Sequence, residues 1–388
     1  MKSIYCLILP VAACVTSAAV CQQSNDPYLL LMQRAGAHAA SHKTRNVPVL
    51  SPVDGSLLDA GAAKVHVDTL HAAGFKVVPW TTNDPEKMRA LIALGVDGII
   101  SDRPDLLHAV VAEERAAGKK LDGFDMAAHR GGRGLRPENT LPSFESGMDQ
   151  GATTLETDTG VTTDGVSLIW HDQFLNPESC RRSDGAAYTM ENRVYTKDIS
   201  MAEAQKTFIC DKVHFGADQK NDLTLSPVAV AFAKVEKMPS PYAPTNAEQL
   251  FRFTRFYANY YRSGPGKGTP HAAERAATGD TIRFNLETKI LPDRLPEAIA
   301  GAQDKNAPAD LYKNHTVGPQ AFVDALCGAI KRNRMEDRAE VQSFDFRTLQ
   351  LVEEQYPGIP TYYLTNNEKL LSSEFVPVGL RLSENDVR

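Results

Sequence analysis

The segment Met126–Thr159, MAAHRGGRGLRPENTLPSFESGMDQGATTLETDT, contains the alternation that decides the fold. A short apolar strand is predicted over residues 126–129, and a helix over 141–150 that ends at Gly151. A second strand is predicted over residues 154–159. Because two strands joined by a helix form a parallel unit, this segment predicts an α/β protein.

The same alternation extends on both sides of this segment. Six of the intervals between predicted strands carry a helix, whereas residues 24–60 show little periodicity and are expected to be irregular. Eight parallel strands fit a closed (β/α)8 TIM barrel, although a doubly wound sheet would share the local pattern. The predicted strands are centred near residues 78, 99, 127, 156, 168, 285, 342 and 362.

Length, composition and charge set limits on the class of protein. The 388 residues are 42% hydrophobic, which suffices for a large core, and the net charge of −6 gives no basic footprint for nucleic acid. Beyond the first residues, no apolar run reaches the roughly 20 residues of a membrane span. We therefore expect no nucleic-acid partner and no transmembrane segment.

The first residues resemble a targeting segment. Met1-Lys2 is a short basic start, an apolar run follows from Ile4 to Val15, and small residues come next. This order predicts a signal peptide over residues 1–23 and a secreted or periplasmic protein. The stretch ending at Cys14, VAAC, resembles a lipobox, so a lipid anchor is the less favoured alternative.

The six cysteines fall into three groups. Cys6, Cys14 and Cys21 lie within residues 1–23, the expected signal peptide, and Cys327 lies in the apolar pattern of a predicted helix, where a buried free thiol is expected. Cys180 and Cys210 lie within a long mixed insertion. In an oxidising compartment their spacing predicts a disulfide within that insertion.

Acidic side chains gather where predicted strands end, which in such barrels is the functional face. Glu156 and Asp158 are two apart on one strand and therefore point to the same side, and Glu287 ends a later strand. Three carboxylates at one barrel mouth predict a site for one divalent cation, Ca²⁺ or Mg²⁺. The alternative is that the pair on the first strand forms an exposed face and Glu287 a surface ion pair.

Basic groups accompany these carboxylates. His129 and His171 end two strands and are candidates for a general acid and base, although a histidine in such a position is often only structural. Arg130 and Lys289 add positive charge suited to a phosphate. The combination suggests phosphoryl transfer.

A known family shares these motifs. The sequence AHRGG at 128–132, followed by PENT at 137–140, resembles the opening signature of the glycerophosphodiester phosphodiesterases. The resemblance continues in the family's order with further matching stretches. These are Gly151-Ala152, Leu155–Asp158, Thr163–Gly165, His171-Asp172, Asn285–Lys289 and Val341–Asp345.

The order of the motifs departs from that of the family. The family normally ends with a Trp-Thr-x-Asn strand and then a Gly-Val-Asp-Gly-Ile-Ile-x-Asp-x-Pro strand, which here are Trp80–Asn83 and Gly95–Pro104 and come first. The resemblance thus implies a circularly permuted barrel over residues 24–388. Residues 24–117 would supply strands seven and eight and residues 124–365 strands one to six. Strand 76–81 would then pair with strand 360–365, and strand 97–101 with strand 126–130. The insertion, residues 173–280, would follow the third family strand.

The resemblance also implies roles for single residues. His129 and His171 would be the acid/base pair, and the three carboxylates would bind the metal. Arg130 and Lys289 would contact phosphate. The remaining substrate-binding candidates are Trp80, Glu138 and Phe344. The resemblance implies hydrolysis of glycerophosphodiesters to sn-glycerol 3-phosphate and an alcohol, with either water or a substrate hydroxyl as the nucleophile.

The sequence is also compatible with three other hypotheses. The aromatic residues between Phe251 and Tyr261 would line an acyl groove in a lysophospholipase D or sphingomyelinase D-like enzyme, or form the insertion's own core. A catalytically inactive barrel would bind a ligand without turnover. A swapped dimer would complete the barrel between two chains.

Overall fold

The computed structural model describes residues 26–59, 64–291, 313–373 and 376–387. Its strands are β1 (Val49–Pro52), β2 (Gly98–Ser101), β3 (Asp125–Ala128), β4 (Thr154–Val161), β5 (Ser167–Ile169), β6 (Arg181–Arg182), β7 (Phe208–Ile209), β8 (Arg283–Thr288), β9 (Ala339–Ser343) and β10 (Thr361–Thr365). Its helices are α1 (Pro27–Ser41), α2 (Gly55–Leu58), α3 (Val67–Ala72), α4 (Pro85–Ala93), α5 (Pro104–Ala116), α6 (Leu141–Asp149), α7 (Met201–Thr207), α8 (Pro227–Val235), α9 (Ala247–Arg262), α10 (Ala272–Thr281), α11 (Pro319–Arg332) and α12 (Phe346–Gln355).

Seven strands form one continuous parallel sheet. Their order is β1-β10-β9-β8-β4-β3-β2, and every pair of neighbours along this path is parallel. The strands are buried along nearly their whole length, as expected of a parallel sheet covered by helices. Helices intervene between consecutive strands, which is the arrangement that parallel pairing requires.

The extended segment of residues 76–82 closes this sheet into a barrel. On one side it bonds to β1, where Leu50 N donates to Lys76 O at 3.0 Å and Val78 N to Leu50 O at 2.9 Å. On the other side it bonds to β2, where Ile100 N donates to Pro79 O at 2.9 Å. The segment is the eighth parallel member, so the expected (β/α)8 barrel is confirmed.

The expected pairing of residues 97–101 with residues 126–130 is also confirmed. Gly98 pairs with Asp125 and Ser101 with Ala128. Gly98 is required by this close approach, because a Cβ atom at that position would lie 2.5 Å from the Cβ of Asp125. Neighbouring ends of β2 and β3 therefore point into the same barrel mouth.

The expected pairing of residues 76–81 with residues 360–365 is wrong, because β1 lies between them. The prediction that residues 24–60 are irregular is also wrong, because this stretch contains α1, β1 and α2. Asp26 caps α1, where its side chain accepts from Tyr28 N and Leu29 N, and the strand β1 follows. The N-terminal part of the chain thus contributes three parallel members of the barrel instead of the two expected.

The strand expected near residue 168 exists but is not part of the barrel wall. The chain reverses between Thr162 and Val166, where Thr162 N donates to Val166 O at 3.1 Å and Gly165 has φ +71°. β5 therefore runs antiparallel to the end of β4. The insertion follows this strand, but because β4 pairs directly with β8, it lies between the second and third strands of the barrel wall counted from β3.

Two of the cysteine predictions are confirmed. Cys180 and Cys210 form a disulfide within the insertion, and both lie in a small buried cluster around Trp170 and Phe208. Cys327 is a fully buried free thiol on α11. Burial raises the pKa of this thiol well above its ordinary value, so it is held in the neutral form.

The aromatic residues of the insertion pack into the main core. Phe251, Phe253 and Tyr257 on α9 are fully buried, and Phe251 lies edge-on against Phe284 of β8 with ring centroids 4.9 Å apart. These side chains are therefore core residues and do not line a groove.

The expected signal peptide, residues 1–23, lies outside the described residues. Among the helices that are described, none is long and apolar enough to cross a membrane.

Candidate active site

A cleft of about 290 Å³ opens at the end of the barrel where the parallel strands finish. It collects side chains from seven of the eight barrel strands or the loops after them, and His171 from the segment after β5. Its lining residues are Trp80, Thr81, Ile100, His129, Arg130, Arg133, Glu156, His171, Glu287, Lys289, Gln342, Phe344, Leu364 and Asn366.

Three buried carboxylates form the floor of this site. Glu156 and Asp158 share one face of β4, and the register of the sheet places Glu287 of β8 directly beside Asp158. One oxygen from each of the three lies within 4.8 Å of the other two. Burial, together with the charges of Asp158 and Glu287, raises the pKa of Glu156 well above its ordinary range.

Arg130 binds to the cluster through its backbone and its guanidinium. It adopts φ +50° in the short 3-10 turn after β3, which points its N–H to Glu156 Oε2 at 2.8 Å. Its side chain donates to Glu138 at 2.8 Å and lies 3.2 Å from Asp158. Although burial acts in the opposite direction, the charge of Arg130 lowers the pKa of Asp158 below its usual value. Glu138 therefore positions Arg130 at the cluster.

Lys289 is the second cation of the site. Its Nζ lies 2.8 Å from Glu287 Oε1 and 3.9 Å from Asp158 Oδ1. It also lies 5.8 Å from the centre of the Phe344 ring. Burial would lower the pKa of Lys289, but the neighbouring Glu287 and Asp158 carboxylates raise it overall, so the ammonium stays charged.

The donor set fits a hard divalent cation. Three carboxylates face two cations, and Asp158 Oδ1 is buried with no hydrogen-bond partner among the described residues. A buried carboxylate oxygen without a partner costs free energy unless a cation satisfies it. Oxygen-only donors are those that Ca²⁺ and Mg²⁺ prefer, so Glu156, Asp158 and Glu287 are the residues that would hold such an ion.

His129 is oriented by a carboxylate at its back. Its Nδ1 lies 2.6 Å from Asp102 Oδ1, and the same oxygen accepts from Arg133 Nε at 2.7 Å. Its Nε2 faces the cluster, 3.9 Å from Glu156 Oε2. Burial lowers the pKa of His129 to about 4, although Asp102 acts to raise it. The ring is therefore neutral near pH 7, with the Nε2 lone pair turned toward the cleft.

His171 has a similar arrangement on the opposite side of the cleft. Its Nδ1 lies 2.8 Å from Asp172 Oδ1, and Asp172 Oδ2 accepts from Asn176 at 2.8 Å. Burial acts to raise the pKa of Asp172, but its hydrogen bond and charge interaction with His171 lower it overall, so Asp172 remains an anion. His171 is 29% exposed, against 12% for His129. Its outer position leaves it accessible to a group entering from solvent.

An apolar corner completes the cleft. Trp80 and Phe344 meet edge to face, with ring centroids 5.5 Å apart and planes at 85°. The indole N–H of Trp80 donates to Ser51 O at 2.9 Å, which fixes the ring against β1. These two rings offer a surface for the carbon atoms of a polar substrate.

The structure therefore places nine of the ten expected residues at the cleft wall or in the carboxylate cluster, and Glu138 behind Arg130. Three further residues of the site, Asp102, Arg133 and Gln342, were not assigned roles from the sequence. Gln342 donates to Glu156 Oε1 at 2.6 Å. Asp102 and Gln342 lie inside motifs that were recognised, so their position in those motifs was the available signal. Arg133 had no comparable signal.

Comparisons with known proteins show the family to which the chain belongs. The model of the glycerophosphoryl diester phosphodiesterase family matches residues 14–106 and 129–252, which is more than half of the chain. A mouse lysophospholipase D is 40% identical over 82 residues, 21% of this chain and 23% of the relative. A human glycerophosphoinositol inositolphosphodiesterase is 29% identical over 161 residues, 38% of this chain and 28% of the relative. The chain thus spans about a quarter of the length of these curated relatives.

A solved structure is similar as well. An Oleispira antarctica phosphodiesterase in complex with the product sn-glycerol-3-phosphate aligns with a TM-score of 0.34 and 16% identity, over 61% of this chain and 64% of the other. The parallel barrel and its cleft define a protein of the TIM-barrel class. The chain belongs to the glycerophosphoryl diester phosphodiesterase family.

Proposed function

We propose that this protein hydrolyses glycerophosphodiesters to sn-glycerol 3-phosphate and an alcohol. The observation that carries the proposal is a pair of histidines, each bound at Nδ1 by a carboxylate, on two sides of a buried three-carboxylate cluster. Family membership supports the same chemistry.

The two histidines divide the proton transfers. Asp102 fixes the Nδ1–H tautomer of His129, so Nε2 accepts the proton of the attacking hydroxyl or water. His171, paired with the anionic Asp172, donates a proton to the departing alkoxide. Each role contributes roughly 10²–10⁴-fold to the rate in typical enzymes.

The remaining groups bind and polarise the phosphate. Arg130 and Lys289 place positive charge beside the cluster, where a phosphate anion would offset it. A divalent cation, Mg²⁺ or Ca²⁺, held by Glu156, Asp158 and Glu287 would supply Lewis-acid polarisation of the phosphoryl oxygens. Trp80 and Phe344 would pack against the glycerol carbons.

The test is an enzyme-coupled assay for released glycerol 3-phosphate, with glycerophosphocholine and glycerophosphoethanolamine as substrates. We expect turnover in Mg²⁺ or Ca²⁺ and a loss of at least about 10²-fold in kcat in His129→Ala and in His171→Ala. Circular dichroism verifies that both variants fold. Wild-type turnover in either variant would remove that histidine from the mechanism, and a purified protein without turnover on either substrate would favour a binding role.

A lysophospholipase D activity is the second candidate, since one relative bears that name. Four of the six aromatic side chains that this hypothesis would place in an acyl groove are buried in the core, and the other two, Phe256 and Tyr260, are partly buried against it, which favours the small substrates. A choline-release assay with lysophosphatidylcholine and with glycerophosphocholine distinguishes the two, because choline release from the lipid alone would support the second candidate.

We further propose that residues 24–388 form one permuted barrel. The support is the ring of neighbours, in which β1 from the N-terminal part pairs with β10 from the C-terminal part. Deleting residues 24–117 should leave an insoluble or inactive chain, whereas a soluble and active remainder would exclude this organisation. We also propose a secreted or periplasmic location, which the disulfide between Cys180 and Cys210 supports.

A further inference from the structure

A second cluster of metal-binding side chains lies at the end of the barrel opposite the cleft. α1 leads into β1 and α12 leads into β10, so the last turns of both helices lie where those strands begin. One donor atom from each of His38, His42 and Glu354 lies within 4.8 Å of the other two. We propose that these residues bind a divalent transition-metal ion of the zinc class.

The first imidazole is already oriented as a ligand. His38 Nδ1 lies 2.7 Å from Oε2 of Glu353, which is almost fully buried. The other oxygen of Glu353 accepts from the hydroxyls of Thr361 at 2.8 Å and Tyr363 at 3.0 Å. With the carboxylate acting as acceptor, Nδ1 carries the proton and Nε2 keeps its lone pair. A carboxylate behind a histidine in this way is typical of metal sites.

The second imidazole, that of His42, is oriented by polar atoms at the C-terminal end of α1. The Ser41 hydroxyl donates to His38 O at 2.7 Å, so its proton is not available to the ring of His42. His42 Nδ1 lies 3.1 Å from Ser41 Oγ and 3.1 Å from His38 O, and both atoms can only accept. Nδ1 is therefore the protonated nitrogen, and Nε2 keeps the lone pair that can bind a metal ion.

The third ligand comes from the neighbouring helix. Glu354 Oε1 lies 3.4 Å from His38 Nε2, close to the separation of about 3.3 Å between two ligands of a tetrahedral zinc ion with bonds of 2.0–2.1 Å. The Glu354 side chain is 41% exposed, so an ion can enter from solvent and water can complete the coordination.

The donor types separate this site from the cleft. Two imidazoles and one carboxylate suit zinc, nickel or copper, whereas the carboxylates of the cleft suit Mg²⁺ or Ca²⁺. An ion here would connect α1 to α12, the helices that lead into the adjacent strands β1 and β10. Its effect would therefore be on the stability of the junction between the two ends of the chain.

The test measures zinc binding by the full chain in excess Mg²⁺, by competition with a chromophoric chelator. We expect the wild type to bind one Zn²⁺ more than His42→Ala or Glu354→Gln. Glu353→Gln should weaken that ion about 10–100-fold. Zn²⁺ should also raise the Tm of the wild type by more than it raises the Tm of His42→Ala.

His271→Ala serves as the matched control, because His271 is exposed and pairs with Glu274 three residues away. It should bind zinc as the wild type does. Equal zinc stoichiometry and affinity in the wild type and both ligand variants would overturn the proposal, and would leave His38 and Glu354 as an ordinary ion pair. Glu354→Gln keeps the test decisive if His42→Ala fails to fold, since Glu354 lies on the surface.

Discussion

Asp102→Asn is the substitution that tests the proposed base most directly. Both carboxylate oxygens of Asp102 are acceptors, Oδ1 from His129 at 2.6 Å and Arg133 at 2.7 Å, and Oδ2 from Asn83 at 2.8 Å. Asn83 cannot rotate its amide, because its oxygen accepts from Ser101 Oγ and Asp102 N. An asparagine at position 102 would have only one acceptor oxygen. In either orientation its amide N–H₂ would therefore face a donor, either that of Asn83 or those of His129 and Arg133.

The expected cost follows from the role of His129. With the amide N–H₂ facing the ring, His129 takes the wrong tautomer and its Nε2 can no longer accept a proton. With the opposite orientation, the charge that stabilises the imidazolium is lost. We expect kcat to fall by about 10²–10⁴-fold, which corresponds to about 3–5 kcal/mol of transition-state stabilisation.

The assay is release of glycerol 3-phosphate under saturating Mg²⁺, with thermal unfolding measured in parallel. Asp97→Asn is the matched control. Asp97 precedes β2, at the end of that strand away from the cleft, and its Oδ2 lies 2.8 Å from His71 Nε2. We expect the control to keep wild-type turnover. A folded Asp102→Asn protein with undiminished kcat would refute the assignment of His129 as an oriented base.

Three further predictions concern the metal, the insertion and a buried acid. EDTA should abolish turnover of the wild type, and added Mg²⁺ or Ca²⁺ should restore it. The same ions should not give the Asp158→Asn variant wild-type turnover, and wild-type activity that persists in EDTA would exclude a metal-dependent mechanism. Replacing Cys180 and Cys210 by serine should lower the free energy of unfolding by roughly 3–4 kcal/mol, the chain-entropy value for a loop of about 30 residues. Urea denaturation measures this change, and an unchanged free energy of unfolding would show that the disulfide does not stabilise the fold. Burial raises the pKa of Glu145 from 4.5 to about 8, so its protonated form is favoured in the folded state. Between these values wild-type stability should fall with rising pH, relative to the non-titrating Glu145→Gln, by up to about 1.4 kcal/mol per pH unit; parallel curves would contradict this.

The long strands and the site they carry were predictable because their sequence signals are local. Glu156 and Asp158 point the same way because side chains alternate along a strand, and Glu287 joins them because parallel strands end together. The sequence motifs also identified the loop after β3 that contains Arg130. Each of these sequence signals lies within a short stretch of the chain, even where the residues themselves meet across the sheet.

The features that sequence analysis missed depend on distant parts of the chain. β1 has four residues, including Ser51 and Pro52, which is too short for a periodic pattern. β5 was recognised as a strand, but its direction is set by the turn before it. Arg133 reaches Asp102 only because the loop after β3 folds back over β2. Such contacts follow from tertiary structure and leave little trace in the local sequence.

The pairing of β1 with β10 has a consequence for synthesis of the protein. About 300 residues separate these strands in the sequence, so at 5–20 residues per second the ribosome needs about 15–60 s to deliver the partner of β1. Until then β1 presents an open edge, the kind of surface on which chains aggregate. The nascent chain therefore depends on chaperones, or on delayed folding of its first three strands, until β10 closes the barrel, as does any closed barrel whose first and last strands pair.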